Sequence, residues 1–190
     1  MIFYKDKLCS IINRNSLSKD DANINTKQFV KNIINYFTKC FRDINLVYVY
    51  KLLCDDKNKI AFYCMDTNFN IDNCPSSIIY QKKQNTKEII YYILLIFTVS
   101  KFRNLGYASI MLDEFIKSIL KKHKSTSSNK IKFVLSSTEK AFTFYLNSGF
   151  ILTPESLKDH NILSKYEKFD KTKMYYIFEL LINSVKLEET

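Results

Sequence analysis

Glycine and proline are scarce in this sequence, and tryptophan is absent. The 190 residues include two glycines, two prolines and no tryptophan, whereas average usage would place about 13 glycines in a chain of this length. Asparagine, lysine and isoleucine are abundant instead, a bias typical of AT-rich genomes. Since glycine adopts positive φ without strain, the two that remain are expected where no other residue fits. Gly106 and Gly149 are therefore the first positions to examine.

Clustered metal ligands are missing as well. His123 and His160 are the two histidines, and the cysteines include no Cys-x-x-Cys pair. The five cysteines are Cys9, Cys40, Cys54, Cys64 and Cys74. A zinc site is therefore not expected. An odd number of scattered cysteines is typical of reduced thiols in a cytosol-like compartment, where they serve as ordinary core or surface residues.

The sequence has neither a long hydrophobic run nor a leader pattern. The longest apolar run, residues 89–99, is too short to cross a bilayer. Charges at Lys5 and Asp6 come too early for a signal peptide. These features predict a soluble, intracellular, cytoplasmic protein with no membrane partner.

What the sequence does contain is apolar and basic material. Hydrophobic residues make up 46% of the chain and charged residues 25%, enough apolar surface for a sizeable core. A length of 190 residues predicts one domain, residues 1–190. The net charge of +10 favours an anionic partner, which charge alone leaves open between nucleic acid, an anionic membrane and a phosphate-bearing cofactor. Compositional bias is an alternative source of part of that charge.

The hydrophobic pattern of the first half predicts a helix and a hairpin. Apolar residues at helical spacing indicate a helix over residues 26–43. Residues 46–54 and 59–65 are rich in β-branched and aromatic side chains around a turn signature, which predicts two antiparallel strands. Residues 66–87 form a polar connection, with a short strand at 78–81, that is long enough to be a functional loop.

The second half predicts a central strand and three further strands, with two helices. Residues 89–99 lack polar alternation, which is typical of a strand buried on both faces. A helix follows at 107–122, with its apolar face formed by Ile110, Met111, Phe115, Ile116, Ile119 and Leu120. Then come the elements at 131–136 (strand), 139–147 (helix capped by Thr138 and ended by Gly149), 150–152 and 173–182 (strands). The order predicts an α/β (α+β) fold, a mixed sheet with helices on both faces.

A turn without bulky close-approach positions joins the central strand to the long helix. Gly106 and Ala108 leave room there for phosphate oxygens. The free N–H groups and positive dipole of a helix N-terminus attract an anion at such a turn. The segment matches neither a Walker loop nor a dinucleotide fingerprint, so a different anionic ligand is expected.

Two motifs carry a family resemblance. Arg103-x-x-Gly106-x-Ala108 is similar to the pyrophosphate-binding pattern (Q/R)-x-x-G-x-(G/A) of the GNAT superfamily of acetyl-CoA-dependent N-acetyltransferases. The segment 141–150, AFTFYLNSGF, looks like that family's A-x-x-(L/F)-Y-x-x-x-G-F pattern and follows at the expected distance. The resemblance is strong over residues 88–152. It implies a mostly antiparallel sheet in which a splayed parallel strand pair holds acetyl-CoA.

The resemblance also implies which residues bind the cofactor. Backbone of the central strand would pair with the pantetheine arm, the turn would hold the pyrophosphate, and the second motif would lie near the thioester. The implied residues are Phe97, Thr98, Val99, Arg103, Asn104, Leu105, Gly106, Tyr107, Ala108, Ser109, Thr138, Ala141 and Phe144. Thr138 stands where the family often has asparagine, a departure that weakens this part of the site.

The implied chemistry is direct attack of an unprotonated amine on the thioester, with coenzyme A thiolate as leaving group. Tyr145 would be the general acid for the thiolate, a role that depends on hydrogen-bond reach. The alternative for Tyr145 is an aromatic packed beside Phe142 and Phe144. Glu88 is the candidate general base, or else a solvated strand end, and proton removal through water stays open.

The acceptor is the least determined part. We predict a small primary amine such as a polyamine or an amino sugar, with a protein lysine or N-terminal α-amine as the alternative. Carboxylates in residues 66–87 and 153–172 would suit a cationic acceptor, or are simply solvated. A third hypothesis is a non-catalytic acetyl-CoA-binding or nucleic-acid-binding module, although the lysines show no binding stripe. A homodimer is compatible with the resemblance.

Overall fold

The structure is a computed structural model that describes six stretches of the chain. They are residues 2–5, 32–38, 46–67, 69–123, 130–166 and 174–182. They form two compact units, one comprising the described residues up to Tyr80 together with Leu95–Ile116, the other comprising Gln81–Leu94 and the described residues from Lys117 onward. The expectation of one domain stays a prediction.

The strands form one mixed sheet in the order β1-β2-β3-β4-β5-β7-β6. The strands are β1 (Ile2–Lys5), β2 (Asn58–Tyr63), β3 (Ser76–Gln84), β4 (Glu88–Thr98), β5 (Lys130–Thr138), β6 (Ile151–Leu152) and β7 (Tyr175–Ile182). The described helices are α1 (residues 32–38), α2 (Leu46–Cys54), α3 (Tyr107–His123) and α4 (Phe142–Asn147). The fold class predicted from the sequence is confirmed, and the apolar run is the middle strand, β4.

The strand pairings explain why the sheet is mixed. Strand β1 runs antiparallel to β2, and β7 runs antiparallel to both β5 and β6. Strands β4 and β5 are parallel. The connection through α3 carries the chain back to the end of the sheet where β4 begins, so β5 runs in the same direction as β4. Their register runs from Glu88 opposite Lys130 to Ile93 opposite Leu135, while β4 itself continues to Thr98 and β5 to Thr138.

The first unit is held by an aromatic cluster. Tyr36 and Phe37 of α1 pack against Phe97 of β4, with ring centroids 5.1 and 4.9 Å apart. Tyr36 also contacts Phe62 of β2 at 5.5 Å. Aromatic pairs of this kind contribute about 0.5–1.5 kcal/mol each beyond area burial. The cluster therefore fixes α1 against the end of β4.

The second unit has its own core. Val134 of β5 and Ile177 of β7 pack with Leu157 and Leu163. These two leucines belong to residues 153–172, the segment whose carboxylates, among them Glu155 and Asp159, are expected to suit a cationic acceptor or to be solvated. Its described part, residues 153–166, is therefore anchored by burial rather than solvated throughout, and Glu167 and Asp170 lie outside the described residues.

The predicted hairpin is wrong, because residues 46–54 are helical. In α2 the buried side chains are Val49, Leu52 and Leu53, at the i, i+3, i+4 spacing of a helix face. Asn58 Nδ2 donates to the Leu52 carbonyl at 2.9 Å and so satisfies an end carbonyl of the helix. The β-branched content that suggested a strand is overridden by one-sided burial.

The polar connection predicted over residues 66–87 is also wrong in extent. Strand β3 occupies nine of those positions, Ser76–Gln84, rather than the short strand expected at 78–81. A tight turn then leads into β4. Within this turn Asn85 Oδ1 accepts hydrogen bonds from the Lys87 and Glu88 N–H groups, both at 2.8 Å. The functional loop is thereby reduced to the segment between β2 and β3.

Smaller differences concern the helices. The predicted helix at 139–147 is a 3-10 turn, Glu139–Ala141, followed by α4, and the Thr138 side chain makes no capping bond. Ile110 is 39% exposed, and Leu112 takes its place on the buried face of α3. The helix expected over 26–43 is observed at 32–38, its other positions lying outside the described residues.

Candidate functional site

The last residues of β4 are held from one edge by the chain entering β3. Val99 N–H donates to the Pro75 carbonyl at 3.0 Å. Ser76 Oγ donates to the Phe97 carbonyl at 2.8 Å. Because successive residues of a strand turn their backbone groups to opposite edges, Phe97 and Val99 face β3 and Thr98 faces away. Of the three strand residues predicted from the sequence, Thr98 thus has its backbone on the opposite edge.

The same alternation places the backbone of one further residue, which the sequence did not predict for the site, on that edge. Ile96, two positions before Thr98, turns its backbone to the same edge as Thr98. Thr98 also accepts a hydrogen bond from Arg103 Nε at 3.2 Å through its carbonyl. The local sequence does not show which residues of β4 turn their backbone groups toward β3, because this depends on how β3 pairs with β4.

The turn after β4 has the positive φ that was expected at Gly106 because glycine is scarce in this sequence. A 3-10 turn, Ser100–Phe102, leads into Arg103, and both Asn104 and Gly106 have positive φ, 60° and 81°. A Cβ at Gly106 would meet no atom within 4 Å, so its φ rather than lack of space demands glycine there. The Gly106 carbonyl then accepts the Ile110 N–H at 3.0 Å and begins α3.

The first turn of α3 carries the implied anion-binding groups. Helix N–H groups at the first positions have no partner within the helix itself. In α3 these belong to the stretch that contains Tyr107, Ala108 and Ser109. The Tyr107 ring packs 5.4 Å from the Phe102 ring, and its hydroxyl donates to Met65 Sδ at 3.5 Å. The first turn of α3 thus contacts both the preceding 3-10 turn and the chain after β2. Leu105, in the turn between β4 and α3, is 63% exposed.

Tyr145 lies on α4 within an aromatic cluster of the second unit. Its ring centroid is 4.9 Å from Phe144, 6.0 Å from Phe150 and 5.8 Å from Phe178. The side chain is 8% exposed, and this burial raises the pKa of the phenol. Tyr145 is therefore protonated at neutral pH, which suits a proton or hydrogen-bond donor.

Gly149 ends α4 as the sequence predicts. Its φ is 83°, and the following Phe150 N–H donates to the Tyr145 carbonyl at 3.1 Å. This left-handed turn satisfies the last helix carbonyls. It also brings Phe150 back beside the Tyr145 ring, so one glycine determines the packing around the candidate acid.

The other residues predicted for the site lie outside the β4–α3 turn and outside the aromatic cluster around Tyr145. Ala141 is the last residue of the 3-10 turn before α4, and the exposed Thr138 directly precedes that turn. Glu88 is the first residue of β4, whereas Thr98 is the last, and an extended strand of this length separates its ends by about 30 Å. Burial lowers the pKa of Lys132, but Glu179 and, to a smaller extent, Glu88 together raise that pKa above its ordinary value.

The described residues show neither a metal cluster nor a membrane helix. No group of three or more histidine, cysteine, aspartate or glutamate side chains is placed there to hold a metal ion. Within the same stretches, no helix combines the length and the hydropathy that a bilayer crossing needs.

Comparison with known proteins establishes the fold. No family sequence model matches the chain, and no curated protein matches it either. Among solved structures, Tetrahymena GCN5 is similar with a TM-score of 0.55 at 13% identity, over 88% of this chain and 94% of that one. Arabidopsis thaliana NAA60 with a bisubstrate analogue gives 0.52 at 11% identity, over 97% and 100%. NAA60 with acetyl-CoA gives 0.50 at 10% identity, over 96% and 99%. The chain has the fold of the GNAT superfamily.

Proposed function

We propose that this chain, with its GNAT fold, transfers an acetyl group from acetyl-CoA to a primary amine within a ternary complex. The observation that carries the proposal is the turn between β4 and α3. Its two left-handed residues, Asn104 and Gly106, turn the chain directly into a helix N-terminus. A helix N-terminus of this kind binds phosphate groups through N–H donors and its dipole.

Acetyl-CoA is the cofactor that accounts for both motifs. The similar NAA60 structure was solved with acetyl-CoA. We assign the pyrophosphate to residues 103–109 and the pantetheine arm to backbone of Ile96 and Thr98, which face the edge of β4 opposite β3. The net charge of +10 supports an anionic cofactor. Ala141, Phe144 and Thr138 remain proposed cofactor contacts on the resemblance alone.

The reaction needs few protein groups. The amine lone pair attacks the thioester carbonyl carbon, the C–N bond forms, and the C–S bond breaks with the electron pair leaving on sulfur. Tyr145 is proposed to donate a hydrogen bond from its phenol O–H to that sulfur. Its raised pKa, caused by burial, exceeds the ordinary thiol pKa of about 8.5. Tyr145 therefore assists by a hydrogen bond that strengthens as charge develops, which is general acid assistance without early proton loss.

Loss of the amine proton is the second requirement. Glu88 stays the candidate base from the sequence, and the alternative is removal through water. The separation of Glu88 from the end of β4 along the strand supports the water route. Under that route the acceptor must already be neutral when it attacks, so the rate rises with pH until the amine is deprotonated.

The acceptor we propose first is a small primary amine, such as a polyamine or an amino sugar. An N-terminal α-amine or protein lysine is the second candidate. The α-amine gains support from the proton argument, because its ordinary pKa of about 7.7–8.0 leaves far more of it neutral at pH 7 than lysine, at about 10.4. Among the small amines, the positive net charge of the protein favours an amino sugar over a strongly cationic polyamine.

Calorimetric titration with acetyl-CoA tests the proposal, followed by a free-thiol assay with polyamines, amino sugars, lysine peptides and N-terminal peptides. Binding together with acceptor-dependent thiol release establishes the transferase and its acceptor class. Binding without release from any acceptor supports the non-catalytic module instead. An absence of binding refutes the proposal.

A further inference from the structure

Two cysteine side chains lie against each other in the first unit. Cys64 directly follows β2, and Cys74 directly follows the 3-10 turn Ile71–Asn73. Their Sγ atoms are 2.7 Å apart, and both side chains are buried thiols. A disulfide has an S–S distance of about 2.05 Å, so less than 1 Å of movement separates the thiol pair from the bond. We propose that Cys64 and Cys74 form a reversible disulfide that closes the segment between β2 and β3.

The backbone around the pair is already arranged for this bond. Both sulfur atoms lie 3.1 Å from the Asn70 carbonyl, which accepts from the thiols. The Met65 N–H donates to the Asn73 carbonyl at 3.1 Å, and Asn73 Nδ2 donates to Asp66. These bonds join the two ends of the segment directly inside the cysteines. Oxidation therefore needs no rearrangement of the strands on either side.

The reaction balances with a low-molecular-weight disulfide, such as oxidised glutathione, as oxidant. One protein thiolate attacks that disulfide, forms a mixed disulfide and releases one glutathione thiolate. The second protein thiol then loses its proton and attacks the mixed disulfide, which releases the other glutathione. Two electrons pass from the protein to the oxidant. Burial and the neighbouring Cys64 sulfur raise the pKa of Cys74, so its thiol is protonated at neutral pH until the segment opens.

The oxidant reaches the pair through local opening of the segment between the two cysteines, because both side chains are buried. Three consecutive residues after Cys64, namely Met65, Asp66 and Thr67, are exposed, as is Asp72 just before Cys74. Segments with several exposed side chains open at a lower free-energy cost than the core strands.

The chain neighbours of the pair contact both parts of the proposed acetyl-CoA site. Beside Cys64, Met65 accepts the hydrogen bond from Tyr107 at the start of α3. Beyond Cys74, Pro75 and Ser76 bind the backbone of Val99 and Phe97. Oxidation would therefore stiffen both contacts and improve preorganisation for acetyl-CoA. This consequence, unlike the disulfide itself, rests on the proposed function.

Peptide mapping of the full chain tests the disulfide without any assay of activity. Trypsin leaves Cys64 and Cys74 on one peptide, residues 60–82, because no lysine or arginine lies between Lys59 and Lys82. The other three cysteines fall on separate peptides. After treatment with oxidised glutathione, peptide 60–82 should lose two hydrogen atoms. Cleavage before Asp66 and Asp72 should then leave its outer fragments joined until dithiothreitol is added.

Cys54 provides the internal control for the oxidant. Cys54 is a partly exposed thiol on α2 and should take up a glutathione group in the same sample. Modified Cys54 beside a fully reduced peptide 60–82 would overturn the proposal. A cross-link from Cys64 or Cys74 to another cysteine would overturn it as well.

Thermal unfolding gives a second readout. Closing this short segment should raise the midpoint of the oxidised protein by about 5 to 10 °C over the reduced protein. Cys64→Ser and Cys74→Ser should abolish that difference, whereas Cys54→Ser should retain it. An equal unfolding midpoint for the oxidised and reduced wild type would contradict a disulfide between Cys64 and Cys74. Reduced variants whose midpoints match the reduced wild type show that the substitutions themselves leave the fold intact.

Titration of both redox forms with acetyl-CoA separates this inference from the proposed function. We expect the oxidised form to bind about threefold more tightly. Equal affinities would refute the coupling, while the mapped disulfide would stand. If neither form binds acetyl-CoA, the proposed function fails and the disulfide is unaffected.

Discussion

At the scale of single residues, burial determines what Tyr145 can contribute. Three phenylalanine rings surround it, and burial raises its pKa. A tyrosine in this setting keeps its proton across the physiological range. Its proposed role is therefore that of a donor, and removal of the hydroxyl should affect the chemical step rather than cofactor binding.

Replacement of Tyr145 by phenylalanine tests that role. Tyr145→Phe keeps the ring and its aromatic contacts, so acetyl-CoA affinity should stay within about twofold. Turnover should fall about 100-fold, the lower end of what a positioned proton donor contributes. Tyr166→Phe, at another buried tyrosine of the second unit, is the matched control and should keep its turnover. A Tyr145→Phe enzyme with unchanged turnover would exclude the hydroxyl from the chemistry.

The pH dependence of turnover follows from the same pKa shift. The ordinary tyrosine pKa is 10.0, and burial moves that of Tyr145 upward. The donating form therefore persists to higher pH than an exposed tyrosine would allow. Turnover of the wild type should rise as the amine loses its proton and should not fall before about pH 10. A decline that begins near pH 8 and is absent in Tyr145→Phe would show that the pKa of Tyr145 is lowered in the protein and not raised.

At the scale of elements, the β4–α3 turn depends on backbone conformation. Gly106 and Gly149 make a matched pair, because each has φ near 80° and open space where a Cβ would stand. An alanine at either position costs about 1–2 kcal/mol of stability, since an L-residue is strained in the left-handed region. The two glycines differ in what lies beside them, a proposed pyrophosphate site or the end of α4.

Substitution at the two glycines should separate binding from stability. Gly106→Ala and Gly149→Ala should lower the free energy of unfolding by similar amounts, measured by denaturant titration. Only Gly106→Ala should also weaken acetyl-CoA binding, by about tenfold, because it alters the loop that presents the N–H groups. Equal affinity of both variants for acetyl-CoA would place the pyrophosphate site elsewhere.

The length of β4 gives a prediction for Glu88. An extended strand separates Glu88 from Thr98 by about 30 Å. We therefore expect Glu88→Gln to change turnover by no more than about twofold and to leave the acid side of the pH profile in place. Lys87→Gln, a neighbouring change in the turn before β4, serves as control. A loss of turnover of more than tenfold in Glu88→Gln, but not in Lys87→Gln, would instead support Glu88 as the general base.

At the scale of the whole molecule, the net positive charge should influence how tightly acetyl-CoA binds. The net charge of +10 acts on an anionic cofactor through a field that salt screens. Acetyl-CoA affinity should therefore fall about threefold or more between roughly 0.05 M and 0.5 M salt. Acetyl-pantetheine, which lacks the pyrophosphate and the nucleotide, should show almost no change. Equal salt dependence of the two ligands would indicate that the basic charge serves another partner.

Several features followed from the sequence because their causes are local. A glycine with positive φ, a 3.6-residue period and an unbroken apolar run each depend on neighbours a few positions away. The turn at Gly106, helix α3 and strand β4 were predictable for that reason. The two motifs over residues 88–152 added the fold family, which the comparison with solved structures confirms.

Other features were decided by tertiary contacts. Residues 46–54 carry β-branched side chains but form α2, because one face packs inward, and this burial outweighs local propensity. Pairing with β3 sets which edge Thr98 presents, and the aromatic contacts of Tyr145 raise its pKa. Cys64 and Cys74, ten positions apart in sequence, meet because the chain folds back between β2 and β3. Each depends on which distant residues share a core or a sheet edge, and no local pattern encodes that.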